Sequence, residues 1–209
     1  MKTILTALLC VFFIAPACAQ KAPSGPLRII ALGDSLTAGY GLQGGESYPS
    51  QLEKALRDQK YDVTIHNAGV SGDTSAGGLA RLEWAIAGDT KPDLVIIALG
   101  ANDMLRGIEP SVTEDNLRKI LTKLKEQNIP AILFGMRAPF NMPGMYRSNF
   151  DPIYKKLAKD FKVPLYPFFL EGVAFKSELN LGDGIHPNSA GIAIMVKNTL
   201  PLVEKALKK

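Results

Sequence analysis

Histidine and cysteine are scarce in this chain, and each scarcity excludes chemistry. Its two cysteines, Cys10 and Cys18, both fall among the first 18 of 209 residues. Everything after them therefore lacks a disulfide framework and a thiolate nucleophile, so the fold must rely on its core. Only two histidines, His66 and His186, are available as a general base. No histidine- or cysteine-rich cluster suggests zinc, and the sequence calls for no metal and no cofactor. Basic runs are also absent. The net charge of +4 is small and scattered, which argues against nucleic acid as a partner. Low-complexity tracts and repeats are missing too, and 209 residues at 46% hydrophobic content make one well-cored domain.

The one long apolar run lies at the N-terminus. Lys2 precedes apolar residues 4–14, broken only by Thr6 and Cys10, and then Ala15-Pro16-Ala17-Cys18-Ala19-Gln20. A short positive start, an apolar stretch too short to span a bilayer and small residues at the end describe an export signal. Ala17 and Ala19 satisfy the A-x-A rule, so residues 1–19 are expected to be a signal peptide and 20–209 the working domain. The expected location is periplasmic or secreted, with no integral membrane span after cleavage. Cys18 also permits a lipoprotein reading. Against it, Ala15-Pro16-Ala17 lacks the usual large apolar residue and carries a proline.

Past the leader, five short apolar runs at 27–32, 63–67, 94–99, 131–135 and 163–167 read as buried parallel strands. They are rich in Val, Ile, Leu and Ala rather than alternating, as when helices cover both faces of a sheet. Helical stretches separate them at 48–59, 111–127, 152–161 and 190–207. The second opens on Ser111-Val112-Thr113-Glu114, a capping-box pattern, followed by Leu117, Ile120, Leu121 and Leu124 on one face. Such alternation predicts a doubly wound α/β sandwich, whose functional residues gather beyond the carboxyl ends of the strands.

Ser35, Gly72 and Asn102 follow the first three runs and so fall on that one edge. Gly33-Asp34-Ser35-Leu36 offers a hydroxyl, although a serine there serves equally as a helix cap. The G-x-S-x-G elbow is absent, since Thr37 stands at the second glycine position. Asp183-Gly184-Ile185-His186-Pro187 supplies an imidazole with a carboxylate three residues upstream. That spacing lets the carboxylate orient the base, as nucleophilic hydrolysis requires. His66, within or at the end of the second strand, reads as structural. Gly72 and the Asn102 side chain are candidate donors to an oxyanion, although Gly-Asp and Asn-Asp pairs also punctuate turns. Residues 137–150 read as a loop whose Phe140, Met142, Met145, Tyr146 and Phe150 either line an acyl groove or pack on the core.

Taken together, these blocks resemble the SGNH (GDSL-type) hydrolase family. Its named residues fall on Ser35, Gly72, Asn102 and His186, in order, with Asp183 as third triad member. Segments 71–75, 78–82, 105–107 and 163–169 look like the acyl-CoA thioesterase, lysophospholipase and arylesterase branch. The resemblance implies a flavodoxin-like three-layer α/β/α sandwich with a five-stranded parallel sheet. It implies a catalytic set of Ser35, Asp183 and His186, with an oxyanion hole from Ser35, Gly72 and Asn102. It further implies that residues 103–108 form a mobile loop over the acyl chain, with Asp103, Leu105 and Ile185 touching substrate. The expected partner is a small ester or thioester with an acyl or aryl group. The rivals are a carbohydrate O-deacetylase, which the single Trp84 supports poorly, and a non-catalytic exported lipid-binding protein, which has no need of an oriented base.

Overall fold

The computed structural model describes residues 25–208. The leader and Cys10 and Cys18 lie outside the described residues. Five strands, β1 (Leu27–Gly33), β2 (Val63–Gly69), β3 (Leu94–Ala98), β4 (Ala131–Phe134) and β5 (Leu165–Tyr166), form one sheet in the order β2-β1-β3-β4-β5. Every neighbouring pair is parallel. Parallel neighbours need crossovers, and right-handed crossovers that reverse direction after β2 place helices on both faces. On one face lie α2 (Tyr48–Asp58) and α9 (Ser189–Leu207), packed against each other; the other layer includes α6 (Pro110–Glu126) and α8 (Ile153–Phe161). The result is the three-layer α/β/α sandwich.

Burial explains the apolar runs. Ile29, Ile30 and Leu32 of β1 are wholly buried, as are Val95 and Ile97 of β3. Each such side chain contributes about 1.5–3 kcal/mol on leaving water. The edge strand β2 departs from the expected uniform burial. Val63 and Ile65 point inward while Thr64 and His66 are exposed, because only one face of this stretch is covered; at the strand's end the pattern inverts, with Asn67 exposed and Ala68 buried. His66 thus stands exposed on the edge strand.

Two other expectations change. The capping box at 111–114 does not form. Glu109 is the N-cap of α6 without a side-chain cap bond, and Pro110 takes the first helical position. Proline suits that position, since its fixed φ is helical and its missing N–H is needed by no one there. Glu114 instead pairs with Arg118 and Lys156. The stretch at 137–150 is not all loop either: it ends in α7 (Gly144–Phe150), seven residues long with only Phe150 buried. Phe140 and Met145 are strongly exposed, whereas Met142 and Tyr146 are half-buried.

Candidate active site

Three strands end level. Gly33, the last residue of β1, is in register with Gly69 of β2 and with Ala98 of β3. The chain leaving β1 turns at once into α1 (Ser35–Ala38), a four-residue helix. This turn is tight enough to dictate glycine at two places. A Cβ on Gly33 would meet Thr37 Oγ1, and one on Gly69 would lie 2.3 Å from the Ala38 nitrogen. The capping role open to Ser35 falls to its neighbour. Asp34 is the N-cap, its carboxylate accepting the Leu36 N–H at 3.0 Å, and Ser35 is the first helical residue, 9% exposed. Its N–H has no partner within the helix for that reason.

His186 arrives from the far end of the chain. Its loop is closed by the Leu181 N–H donating to the His186 carbonyl at 2.7 Å, and Asn188 caps α9 just beyond it. Helix α2 pins that helix. The buried Tyr48 hydroxyl lies 2.7 Å from Thr199 Oγ1, and Gln51 Nε2 donates to the Ser189 carbonyl at 3.1 Å. Asp183 organises the loop from within. Its Oδ1 accepts the Ile185 and His186 N–H groups at 2.9 and 3.0 Å, and its Oδ2 lies 2.7 Å from His186 Nδ1. The His186 backbone N–H first, then the imidazole, then the Ile185 N–H, hold the Asp183 carboxyl down to about 2. A carboxylate only accepts, so Nδ1 carries the proton and Nε2 is left with a lone pair. That lone pair is 2.9 Å from Ser35 Oγ. The Tyr40 ring covers the imidazole at 4.4 Å between centroids.

Gly72 and Asn102 extend from the other two level strands. Gly72 follows β2 in a turn with φ +83°, and its carbonyl accepts Arg106 Nη2 at 2.6 Å. Asn102 sits on α5 (Ala101–Leu105), entered through Gly100 at φ +110°, where a Cβ would collide with the Tyr154 hydroxyl. Asn102 Nδ2 donates one hydrogen to the Asp73 carbonyl at 2.9 Å. An amide nitrogen has a second hydrogen to give.

The expected substrate contacts divide. Leu105 and Ile185 are both more than half exposed at this edge. Asp103 instead is wholly buried and faces away from solvent, its side chain accepting from the Ser75 N–H at 2.7 Å and from Thr113 Oγ1 at 3.2 Å. A carboxyl group that deep needs hydrogen bonds in place of its water, and Ser75 Oγ and, behind it, Asn116 supply more. Much of the expected loop at 103–108 is α5 itself, and Tyr146 donates to the Ile108 carbonyl at 2.9 Å. An apolar hollow of about 400 Å³, lined by Leu27, Leu94, Ala131, Val163 and Leu207, opens at the opposite end of the sheet, away from this chemistry.

Asp34 is an acid here that the sequence motifs left without a task. Burial pushes its carboxyl up to about 7, against the opposing pull of the Leu36 N–H and of His186. The folded protein therefore keeps a proton that the unfolded chain loses near pH 4, so stability falls as pH rises from about 4 to about 7. Asp34→Asn retains an acceptor for the Leu36 N–H and removes the titration. Its melting temperature relative to the parent should climb between pH 4 and pH 8. A pH-independent gap would contradict the assignment.

Residues 31–194 match the model of the GDSL-like Lipase/Acylhydrolase family. An arylesterase of Vibrio mimicus is 43% identical over 170 residues, covering 81% of this chain and 84% of that protein. Thioesterase 1/protease 1/lysophospholipase L1 of Escherichia coli K12 is 43% identical over 160 residues, 77% of this chain and 75% of its own. Among solved structures, the SGNH-hydrolase family esterase AlinE4 superposes with a TM-score of 0.75 at 46% identity, over 89% of this chain and 99% of that one. The level strand ends, the hydroxyl–imidazole–carboxylate chain and these likenesses converge: this chain belongs to the GDSL-like lipase/acylhydrolase family of ester hydrolases.

Proposed function

We propose that the chain hydrolyses carboxylic esters by two-step acyl transfer through Ser35. The observation that carries this reading is the unbroken relay of Ser35 Oγ, His186 Nε2, His186 Nδ1 and Asp183 Oδ2, with links of 2.9 and 2.7 Å. A serine hydroxyl is a weak nucleophile until a base removes its proton as it attacks. His186 Nε2 has the free lone pair to do so. The positive imidazolium that results faces an Asp183 carboxylate that stays ionised at any pH near neutrality, because its carboxyl is held at about 2.

The carbonyl carbon bonded to Ser35 Oγ becomes tetrahedral, and its oxygen takes the negative charge. The Ser35 and Gly72 N–H groups and the second hydrogen of the Asn102 amide are the proposed donors to it, each contributing about 3–4 kcal/mol at such a site. His186 then returns its proton to the leaving oxygen or sulfur as the bond to carbon breaks. Water, deprotonated by the same nitrogen, attacks the acyl-enzyme and releases the acid and the free Ser35 hydroxyl.

Leu105, Ile185 and Tyr40 leave apolar surface exposed around the relay, which suits an acyl or aryl group. The relatives named arylesterase and thioesterase/lysophospholipase support aryl esters, acyl thioesters and lysophospholipids as the substrate range. Residues 1–19 are proposed as an export leader, with 20–209 working in the periplasm or outside the cell. Among the described residues no helix is long and apolar enough to cross a membrane. N-terminal sequencing of the exported protein is expected to begin at Gln20; an intact Met1 would overturn the leader.

The activity is tested on p-nitrophenyl esters from acetyl to palmitoyl, with an acyl-CoA alongside. Turnover should fall by at least about a thousandfold in Ser35→Ala. Asn102→Ala should lower kcat by about two to three orders of magnitude with KM little changed. Serine-independent turnover, or an unchanged kcat in the asparagine variant, would remove the corresponding residue from the mechanism.

A further inference from the structure

We propose that Arg81 is a positioning residue for the oxyanion donors: through Asp73 it sets where the Gly72 N–H and the Asn102 amide stand relative to Ser35. The inference rests on the acyl-transfer reading above and concerns a residue that touches none of the reacting atoms.

Arg81 stands between α3 (Ser75–Ala80) and α4 (Leu82–Ile86), its side chain and that of Asp73 each 18% exposed. The guanidinium reaches three separate acceptors. Nε donates to Asp73 Oδ2 at 2.6 Å, Nη1 to the Ala68 carbonyl at 2.7 Å and Nη2 to the Gly33 carbonyl at 2.9 Å. Gly33 ends β1 two residues before Ser35, and Ala68 lies in β2 four residues before Gly72. One rigid planar group thus clamps the ends of two strands and the residue after Gly72. Gly77 of α3 permits the fit, since a Cβ there would lie 2.5 Å from Asp73 Oδ1.

Asp73 passes this constraint on. Its carboxylate is held by Arg81, while its main-chain carbonyl accepts Asn102 Nδ2. An amide nitrogen that donates one hydrogen has its plane fixed, and therefore the direction of its other hydrogen. The same anchor holds the turn that keeps Gly72 at φ +83°. Arg81 contributes position rather than net positive potential, because Asp73 neutralises it. Lysine cannot replace it: a single ammonium lacks the planar fork that serves three divergent acceptors. Donors to an oxyanion work only within a few tenths of an ångström of the right place, and a displacement of about 1 Å can cost about a hundredfold in rate.

The test is steady-state hydrolysis of a p-nitrophenyl ester by Arg81→Lys and Arg81→Ala, with active sites counted by stoichiometric organophosphate inactivation. We expect kcat per counted site to fall about 10- to 100-fold in both, with KM within about threefold of the parent. Because Arg81 acts through Asn102, the Arg81→Lys/Asn102→Ala double variant should lose less than the product of the two single losses. A purely structural role would instead reduce the number of sites and leave kcat per site unchanged. That result, or losses that multiply, overturns the proposal. Should Arg81→Ala not fold, Arg81→Lys decides, since it keeps the charge and the aliphatic stem. Full turnover in Ser35→Ala on the same ester would mark the failure of acyl transfer itself, a separate result from any seen at Arg81.

Discussion

The level ending of three parallel strands is the constraint from which the rest of the site follows. Gly33, Gly69 and Ala98 are in register, so the turns leaving β1, β2 and β3 begin from one line. For Ser35 to stay near that line, α1 must fold back onto the strand ends with no room for a side chain between. Gly33 and Gly69 meet that demand, because at either position a Cβ would collide with α1. A hydroxyl at the start of a helix and the two neighbouring turns that carry Gly72 and Asn102 are thereby brought to one edge before any side-chain chemistry is considered. Sheets of this winding offer such an edge generally. Here the closeness of α1 makes it a site.

The edge carries more acid than a hydrophobic core tolerates unaided, and each carboxylate meets its cost differently. Asp183, half in solvent, is tied by two backbone N–H groups and an imidazole, and it stays charged. Asp103, fully buried, is satisfied by an N–H and hydroxyls that link α3, α5 and α6. Asp73 has the Arg81 guanidinium. Asp34, buried with one N–H donor, takes the remaining course and holds its proton towards neutral pH. The four differ in environment rather than in residue type, and only Asp183 touches the imidazole. A pair such as Asp73–Arg81 adds little to stability after its desolvation. Its value lies in geometry, since it reaches across β1, β2 and the turn that follows β2.

Local signals made the fold and the relay legible in sequence. Five parallel strands announce themselves as short apolar runs, and each run appears within a few residues of its expected place, although β5 shrinks to two half-buried residues. The carboxylate and the imidazole are three residues apart, and only one other histidine competes. What stayed hidden depends on contacts between distant segments. Arg81 lies 48 residues from Gly33, and nothing near it in sequence announces the strand carbonyls it binds. Asp103 reads as an exposed loop acid until Ser75 and Thr113 close around it. Pro143 and Gly144 conceal α7, which is too short and too exposed to show a helical period. Exposure on one face of β2 depends on where the edge of the sheet falls, which no single strand records.

In the proposed acyl transfer Ser35 becomes covalently acylated with His186 as its base. The most direct measurement of this step is peptide mapping by mass spectrometry after treatment with a fluorophosphonate. One adduct per chain is expected, on the peptide containing Ser35, with its loss in His186→Ala. An adduct on another serine, or labelling of Ser35 at full rate without His186, would contradict it.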